Sequence, residues 1–175
     1  MSNIQFIHNE DIYTQVLQEQ IPCAHQSVWI ATADIKDVYV KKLGNMVPFL
    51  EILSDLLLKG VEVRLIFAKE PGPAFRTDFD KYPVLAKKLE QFHCPRVHFK
   101  CVIIDGGRFV YTGSANLTGA GMGAKSVRNR NFEMGVISEN RHFNEQVFNQ
   151  FDDVWMGALC ENCGRKKYCT EWRDI

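Results

Sequence analysis

The sequence predicts an α/β layer fold built as a single domain. A strongly apolar stretch at residues 46–58 has the length of a helix, and Lys59 and Gly60 then place a cation in its last turn and a glycine at its end. An alternating strand pattern follows directly at residues 61–67. This succession of helix, glycine and strand is typical of α/β layers. The 175 residues suit one core, because single domains usually hold about 100 to 200 residues.

The segments around this unit carry the same two kinds of pattern. Residues 11–20 have apolar side chains at helical spacing and predict a helix, whereas the short apolar run at residues 28–33 predicts a strand. Residues 70–80 contain two prolines and a glycine, which predicts a surface loop. We expect a further helix over residues 82–92.

A β-hairpin is predicted in the second half of the chain. Two apolar runs, residues 97–104 and 108–112, are separated by Asp-Gly-Gly at residues 105–107, which is a turn signal. The two strands should therefore be antiparallel. One more strand is expected at residues 133–138, and an amphipathic helix is expected at residues 142–156.

The composition is that of a folded protein without a strong overall electrostatic field. Apolar residues make up 46% of the chain and charged residues 24%, so a packed core is expected. Twenty-one basic residues balance 21 acidic ones, and any site for an anion must therefore be local. The first residues lack the basic start and apolar stretch of a signal peptide, and no run approaches the ~20 apolar residues that span a bilayer. We expect a cytoplasmic protein.

Five chemically compatible side chains are expected to converge at one end of the sheet. His98 and Lys100 are two residues apart on the predicted strand and share a face. The hairpin then returns the chain, which brings Ser114 and Asn116 near the end from which His98 departed. Glu133 opens the next strand, at the same end. The sequence therefore predicts a cluster of an imidazole, an ammonium, a hydroxyl, a carboxamide and a carboxylate.

This combination suits phosphoryl chemistry. Lysine and asparagine can hold phosphate oxygens while charge develops, and histidine can attack phosphorus or move a proton. A carboxylate on the other imidazole nitrogen would fix its tautomer. The alternative is that His98 and Lys100 are two polar residues on the solvent side of an edge strand. That alternative suits a single residue better than five compatible groups together.

The same residues carry a resemblance to a known family. The segment HFKCVIID at residues 98–105, followed by GSAN at residues 113–116, resembles the H-x-K-x4-D and G-S-x-N signature of the phospholipase D superfamily. Glu133 resembles the acidic residue found downstream in that family. The resemblance implies an α-β-α sandwich, with a mixed sheet flanked by helices, and a phosphoric diester hydrolase that needs no metal for catalysis.

The resemblance also implies a role for each residue of the cluster. His98 would attack phosphorus to give a phosphohistidine, while the partner subunit's His98 would protonate the leaving oxygen. Lys100 and Asn116 would clamp the phosphate. Ser114 would assist, and Glu133 would orient the imidazole. For Asp105, which the hairpin places at the far end of the strand, we expect a structural role in capping turn amides.

A homodimer that shares the active site is expected from the number of motifs. The family normally has two such motifs per active site, and this chain has one. The other histidines lack a lysine two residues further on; they are His8, His25, His93 and His142. A two-fold dimer that meets at the motif would supply the second histidine.

A glycine-rich loop at residues 119–130 lies between Asn116 and Glu133. Its cations, Lys125, Arg128 and Arg130, are expected at the rim of the site as substrate-binding residues or as part of a lid. The alternative is a solvated loop whose charges face only water.

Cysteines near the C-terminus predict a metal site. Cys160, Cys163 and Cys169 have the spacing C-x2-C-x5-C, which favours a structural zinc that still lacks one ligand. Of four candidates, Cys94 is preferred because it immediately precedes the strand that starts at the active-site end; the other three are His93, Cys23 and His25. Reduced thiols without metal are the main alternative, and an iron–sulfur cluster is a less favoured one. We thus expect residues 1–157 to form the catalytic domain and residues 158–175 a metal-binding tail packed on it.

The motif predicts a phosphodiester substrate and leaves its attached groups open. An endonuclease is the first hypothesis, because the cationic loop could meet a nucleic-acid backbone. A phospholipase D or phosphatidyltransferase that acts on phospholipid is the second. A module that binds nucleic acid without catalysis is the third.

Overall fold

The fold is given by a computed structural model that describes residues 3–36 and 38–171. In chain order the strands are β1 (Ile4–His8), β2 (Ser27–Thr32), β3 (Tyr39–Lys42), β4 (Asn45–Pro48), β5 (Glu62–Phe67), β6 (Glu90–His93), β7 (Lys100–Ile104), β8 (Phe109–Gly113) and β9 (Met134–Ser138). The α-helices are α1 (Phe49–Leu58), α2 (Pro73–Phe79), α3 (Pro83–Lys88) and α4 (Arg141–Trp155). A π-helical segment spans Ile12–Gln20.

Seven of these strands form one mixed sheet in the order β1-β9-β8-β7-β2-β5-β6, and β3 and β4 form a separate hairpin. Strands β2, β5 and β6 are parallel. The pairs β2–β7, β7–β8, β8–β9 and β1–β9 are antiparallel. The predicted α/β fold with a mixed sheet is confirmed, and so is the antiparallel hairpin of β7 and β8.

Both faces of the central sheet are covered, as β2 illustrates. Val28 and Ile30 enter the larger core, which also contains the buried side chains of α1. Trp29 and Ala31 enter a second core beneath α4, where the indole of Trp29 stacks on Phe151 with ring centroids 5.2 Å apart. Successive residues of a strand point to opposite faces, so a strand buried on both sides is apolar throughout. The molecule is therefore a three-layer sandwich.

The predicted helix at residues 46–58 begins later than expected. Residues 46–48 belong to β4, which pairs with β3, and α1 starts at Phe49. The physical reason is Pro48: a proline disfavours helical geometry in the residue before it, and it is tolerated where a helix begins. The helix prediction is therefore correct only for the residues after Pro48.

Two further predictions between β5 and β7 were wrong in part. The segment 70–80, predicted as a loop, contains α2, and Pro73 stands at its first turn, where the missing N–H is not needed. The predicted helix at residues 82–92 ends after Lys88, and the chain continues as β6 on the edge of the sheet. Pairing with β5 satisfies the main-chain groups that a longer helix would have satisfied internally.

The predicted C-terminal helix is confirmed as α4. Asn140 caps its N-terminus, because its side-chain oxygen accepts from the Phe143 N–H at 2.9 Å. Phe151 and Trp155 are the buried residues through which α4 packs on the sheet. In the described part of the chain, none of the helices combines the length and the apolar character needed to cross a membrane.

Candidate active site

The register of β7, β8 and β9 gathers the predicted residues at one end of the sheet. Lys100 pairs with Gly113, and Gly113 pairs with Gly135. His98 precedes β7, and β8 runs directly into Ser114, whose N–H donates to the Met134 carbonyl at 2.9 Å. Glu133 immediately precedes β9. The expected strand 97–104 is shorter than predicted, so His98 lies just outside the ladder rather than within it.

Lys100 is a buried cation beside the main chain of His98. Its side chain is 7% exposed, and its Nζ donates to the His98 carbonyl at 2.6 Å. Burial lowers the pKa of Lys100, and the negative charge of Glu133 partly opposes that shift. The ammonium is therefore held in place before a substrate arrives.

His98 itself is exposed. Within the described residues its imidazole makes no hydrogen bond, while its carbonyl oxygen is held by Lys100. The ring is thus anchored through its main chain and remains open for contact with a substrate or a second subunit.

Glu133 is oriented by Ser114 and Asn131. The Ser114 hydroxyl donates to one carboxylate oxygen in a short hydrogen bond, and the Asn131 amide donates to the other at 3.1 Å. The Ser114 hydroxyl also accepts from the Met134 N–H at 3.1 Å. The carboxylate therefore contacts Ser114 within one chain, where the resemblance implied a contact with the His98 imidazole.

Asn9 fixes the main chain of Glu133 through two hydrogen bonds, and sequence reasoning did not single it out. Asn9 has a φ of 49°, a left-handed conformation that asparagine tolerates better than most residues. A methyl group on Gly123 would lie 2.4 Å from the Asn9 carbonyl oxygen, so this turn packs closely against the loop. The signal that could have revealed Asn9 is an asparagine directly after an apolar strand pattern.

Asn116 has its amide group oriented by the end of β2. Its side-chain oxygen accepts from the N–H groups of Ala33 and Asp34 at 3.2 and 3.1 Å. Its side-chain nitrogen makes no hydrogen bond within the described residues. The side-chain oxygen is thus engaged by main-chain N–H groups, and the N–H₂ group is left as a donor suited to a phosphate oxygen.

Asp105 lies at the opposite end of β7 and is structural, as the hairpin predicted. One carboxylate oxygen accepts from the N–H groups of His25, Gln26 and Ser27 at 2.9, 2.7 and 3.2 Å. Burial would raise the pKa of Asp105, but these donors and Arg108 outweigh it and lower that pKa. The residue ties the β7–β8 turn to the start of β2.

Cations of the glycine-rich loop differ in their surroundings. Lys125 and Arg128 are exposed. Arg130 instead pairs with Glu10 at 2.8 Å, and its side chain is 16% exposed. Lys125 and Arg128 are thus the loop cations most available to a substrate.

Exposed apolar side chains flank Glu133 in the chain and continue on the neighbouring edge strand β1. Phe132 is 96% exposed and Met134 is 62% exposed. His8 of β1 pairs with Met134 of β9, and the exposed ring of Phe6 lies beside His8. Val127 in the loop adds another exposed apolar side chain. We call Phe6, Val127, Phe132 and Met134 the apolar rim.

The four cysteines of the predicted metal site line one cavity of about 200 Å³; they are Cys94, Cys160, Cys163 and Cys169. All four are thiols that take part in no disulfide with another described cysteine. Within the described residues, no three potential metal ligands are already gathered in the geometry of a metal site. The metal assignment therefore stays a prediction.

Comparisons with known proteins agree with this arrangement. The sequence model of the family described as "cardiolipin synthase, PLD-like domain" matches residues 17–155. Because this match spans most of the chain, the protein belongs to that phospholipase D-like family. A comparison with curated proteins found no match.

Solved structures of low sequence identity share the fold. Nuc from Salmonella typhimurium, a phospholipase D family member, is 17% identical with a TM-score of 0.63, and the alignment covers 89% of this chain and 95% of Nuc. NucT from Helicobacter pylori is 15% identical with a TM-score of 0.62, covering 89% and 97% of the two chains. TrmBL2, an archaeal chromatin protein, is 14% identical with a TM-score of 0.59, covering 87% of this chain and 52% of TrmBL2.

Proposed function

We propose that the protein hydrolyses a phosphodiester, with nucleic acid as the substrate, through a phosphohistidine on His98 in an active site completed by a second copy of the chain. The observation that carries the proposal is the convergence of His98, Lys100, Ser114, Asn116 and Glu133 at one end of the sheet. Family membership supports the same reaction class.

In the first step an imidazole nitrogen of His98 attacks phosphorus, and the bond between phosphorus and the leaving oxygen breaks. The partner subunit's His98 gives a proton to that oxygen. Lys100 and the Asn116 amide donate to the non-bridging oxygens, where negative charge develops. Both donors are fixed by the surrounding main chain, so little reorganisation is needed.

In the second step water attacks the phosphohistidine. The partner subunit's His98, now neutral, takes a proton from the water, and the bond between phosphorus and nitrogen breaks. The products are a phosphomonoester and the alcohol released in the first step. The reaction needs no metal, because the two imidazoles and the fixed donors supply the acid, the base and the charge stabilisation.

The dimer is supported by the apolar rim as well as by the single motif. Phe132 and Met134 flank Glu133 and expose most of their surface. Burying an exposed apolar side chain at an interface contributes about 1.5–3 kcal/mol. A two-fold contact through this rim would bring the two copies of the cluster towards each other.

Nucleic acid is favoured by the exposed Lys125 and Arg128 beside the cluster. The chain has no net charge, so its affinity for a polyanion must come from local cations such as these. TrmBL2, an archaeal chromatin protein that binds DNA, has a similar fold, which keeps binding without catalysis as a competing outcome.

A phospholipid substrate is the second candidate, and the same apolar rim favours it. Exposed aromatic and aliphatic side chains can enter a bilayer surface next to a headgroup site. The rim would then contact lipid instead of a second copy.

A substrate panel distinguishes these functions. Purified protein is incubated with plasmid, single-stranded DNA, RNA and phospholipid vesicles in excess EDTA, alongside His98→Ala and the control His142→Ala on α4. We expect cleavage of nucleic acid by the wild type and by His142→Ala, and none by His98→Ala. Turnover of phospholipid alone would overturn the nucleic-acid assignment, and binding without turnover would overturn the enzymatic one. Circular dichroism in EDTA shows whether the chelator has unfolded the protein.

The role of the apolar rim is tested with a matched pair of substitutions. Phe132→Gln alters the rim, whereas Leu58→Gln alters an exposed apolar residue, 69% exposed, at the far end of the sheet. If the rim forms the dimer, Phe132→Gln raises the dimer dissociation constant by about tenfold or more, and Leu58→Gln does not. Sedimentation velocity measures this. An unchanged dimer that has lost vesicle binding would support the lipid function instead.

A further inference from the structure

The C-terminal tail lacks a core of its own. After α4 the chain forms turns and one short 3-10 segment, Lys166–Tyr168, and most side chains from residue 158 to residue 171 are exposed. Polar contacts join it to the domain at His93: the Cys169 thiol donates to the His93 carbonyl at 3.5 Å, and the Thr170 hydroxyl lies 3.1 Å from the His93 ring. A segment of this kind needs a further constraint to hold one conformation.

Four cysteines from two distant parts of the sequence surround the cavity beneath this tail. Cys94 comes from the end of β6, and the other three come from the tail: Cys160, Cys163 and Cys169. The remaining cysteines lie elsewhere, because Cys101 is buried in the sheet and Cys23 is exposed. Four of the six cysteines therefore line the same cavity.

Hydrogen-bond donors lie beside two of these sulfurs, those of Cys163 and Cys169. Cys160 and Cys163 are joined by a tight turn in which the Cys163 N–H donates to the Cys160 carbonyl at 3.1 Å. The Cys163 sulfur accepts from the Arg165 N–H and lies beside the Arg96 guanidinium. The Cys169 sulfur accepts from the Glu171 N–H. Such donors are the outer-shell hydrogen bonds that hold metal-bound sulfur in position.

The surroundings also identify the fourth ligand. Both ring nitrogens of His93 are occupied, one by the Ala68 carbonyl at 3.1 Å and the other by Thr170. Cys23 and His25 lie at the Asp105 end of the sheet, where the His25 N–H is bound by Asp105. Cys94 is the candidate that lines the cavity.

We propose that Cys94, Cys160, Cys163 and Cys169 bind one structural zinc ion, which closes the tail onto the domain. Zn²⁺ in structural sites takes four sulfur or nitrogen donors in a tetrahedron. The sulfurs now line the cavity without converging, and the ion draws them together as the thiols lose their protons. Four thiolates on Zn²⁺ leave a net negative charge, which Arg96 and the cations of the tail offset.

The zinc site would also fix the segment of chain that leads from Cys94 to His98, the proposed nucleophile. Cys94 is four residues before His98, and the intervening turn is closed by the Val97 N–H on the Cys94 carbonyl at 3.0 Å. Fixing Cys94 thus fixes the segment that places His98. The zinc performs no chemistry, and the proposal does not depend on which substrate is cleaved.

Metal content tests the proposal directly. The full chain is purified without chelator from zinc-supplemented medium, and metals and sulfide are quantified for the wild type, Cys94→Ser, Cys163→Ser and the control Cys23→Ser. We expect about one zinc per chain in the wild type and in Cys23→Ser, and loss of most zinc from the other two. Little zinc in the wild type, iron with labile sulfide, or full zinc in Cys94→Ser would each overturn the proposal.

Spectroscopy on the wild type keeps the test valid if a ligand variant does not fold. X-ray absorption at the zinc edge should show four sulfur neighbours at about 2.3 Å. Cobalt substitution should give the intense visible bands of a tetrahedral thiolate site. Nitrogen or oxygen donors in place of one or more sulfurs would contradict the four-cysteine assignment.

Discussion

Asn9 and Glu133 hold each other by two hydrogen bonds: the Asn9 N–H donates to the Glu133 carbonyl at 2.9 Å, and the Glu133 N–H donates to the Asn9 side-chain oxygen at 3.0 Å. The end of β1 is thereby locked to the residue that opens β9. Because the Glu133 carboxylate contacts Ser114, the position of this main chain sets the geometry at that side of the cluster. Asn9 is thus a positioning residue.

We expect Asn9→Gly to impair the reaction more than the fold. Glycine keeps the left-handed conformation and the main-chain donor. It removes the acceptor for the Glu133 N–H and the amide group that lies 3.2 Å from the exposed His8 Nδ1. The free energy of unfolding should fall by about 1 kcal/mol, the usual contribution of one hydrogen bond, with some added cost from the flexibility of glycine. Steady-state kinetics should show a lower kcat with little change in KM. An unchanged kcat would show that Asn9 does not act through Glu133.

The buried ammonium of Lys100 should lower the free energy of unfolding, although the proposed reaction needs it to bind the phosphate. Its pKa is lowered in the folded state, so the unfolded state binds more protons between the folded and unfolded pKa values, and stability should rise with pH across that alkaline window. Lys100→Met removes this contribution. We expect the variant to be more stable at neutral pH, to show a weaker alkaline rise in urea denaturation, and to lose about 100-fold or more in kcat.

A different result would redefine Lys100. If Lys100→Met kept the kcat of the wild type, Lys100 would be a structural cation rather than a phosphate ligand. Met46→Leu changes an exposed side chain on the hairpin of β3 and β4. It serves as a control for effects on kcat and stability that any single substitution outside the cluster would cause.

Asp105 should matter for stability and not for the chemical step. Its pKa is lowered in the fold, so its stabilising effect is present above the unfolded pKa of about 3.9 and is lost as the pH falls through the folded pKa. Asp105→Ala leaves three main-chain N–H groups without their acceptor. We expect a loss of about 2–4 kcal/mol in urea denaturation at pH 7.

The kcat of Asp105→Ala should contrast with its loss of stability. At a temperature where Asp105→Ala remains folded, its kcat should stay within a few-fold of the wild type. Wild-type stability together with a lost kcat would assign Asp105 to catalysis instead.

Lys125 and Arg128 should contribute to nucleic-acid binding through phosphate contacts. Each such contact changes the slope of log affinity against log salt by about 0.7 to 0.9. The double variant Lys125→Ala/Arg128→Ala should therefore lower the magnitude of this slope by about 1.4 to 1.8 in fluorescence anisotropy. Lys87→Ala/Lys88→Ala, which changes two exposed lysines on α3, should leave the slope unaltered. Equal slopes for both double variants would exclude the loop from the interface.

The sequence allowed prediction of the elements whose signals are local. The hairpin at residues 105–107 depends on its own turn residues, and it correctly separated the end of the sheet that holds Ser114 from the end that holds Asp105. The gathering of the cluster at one end of the sheet could be anticipated because its residues lie on, or next to, adjacent strands.

What could not be predicted depends on pairing between distant segments. Strand β1 adds to the edge of the sheet through β9, more than 120 residues away in sequence, and this pairing brings Asn9 to Glu133. Strand β6 likewise forms because β5 offers it an edge. The contact of Glu133 with Ser114 was also missed, since a strand pattern predicts which end of a sheet a residue occupies and does not predict side-chain partners.

In the proposed reaction, His98 becomes covalently attached to phosphorus during turnover. The direct measurement is a rapid quench into denaturant at high pH, which preserves phosphohistidine, within a single turnover of an end-labelled substrate, followed by peptide mapping. We expect a labelled adduct on the peptide that contains His98, formed and lost at rates compatible with turnover. The adduct should be absent in His98→Ala, which should also be inactive. Undiminished turnover by His98→Ala, or an adduct on a different residue, would contradict the proposed reaction.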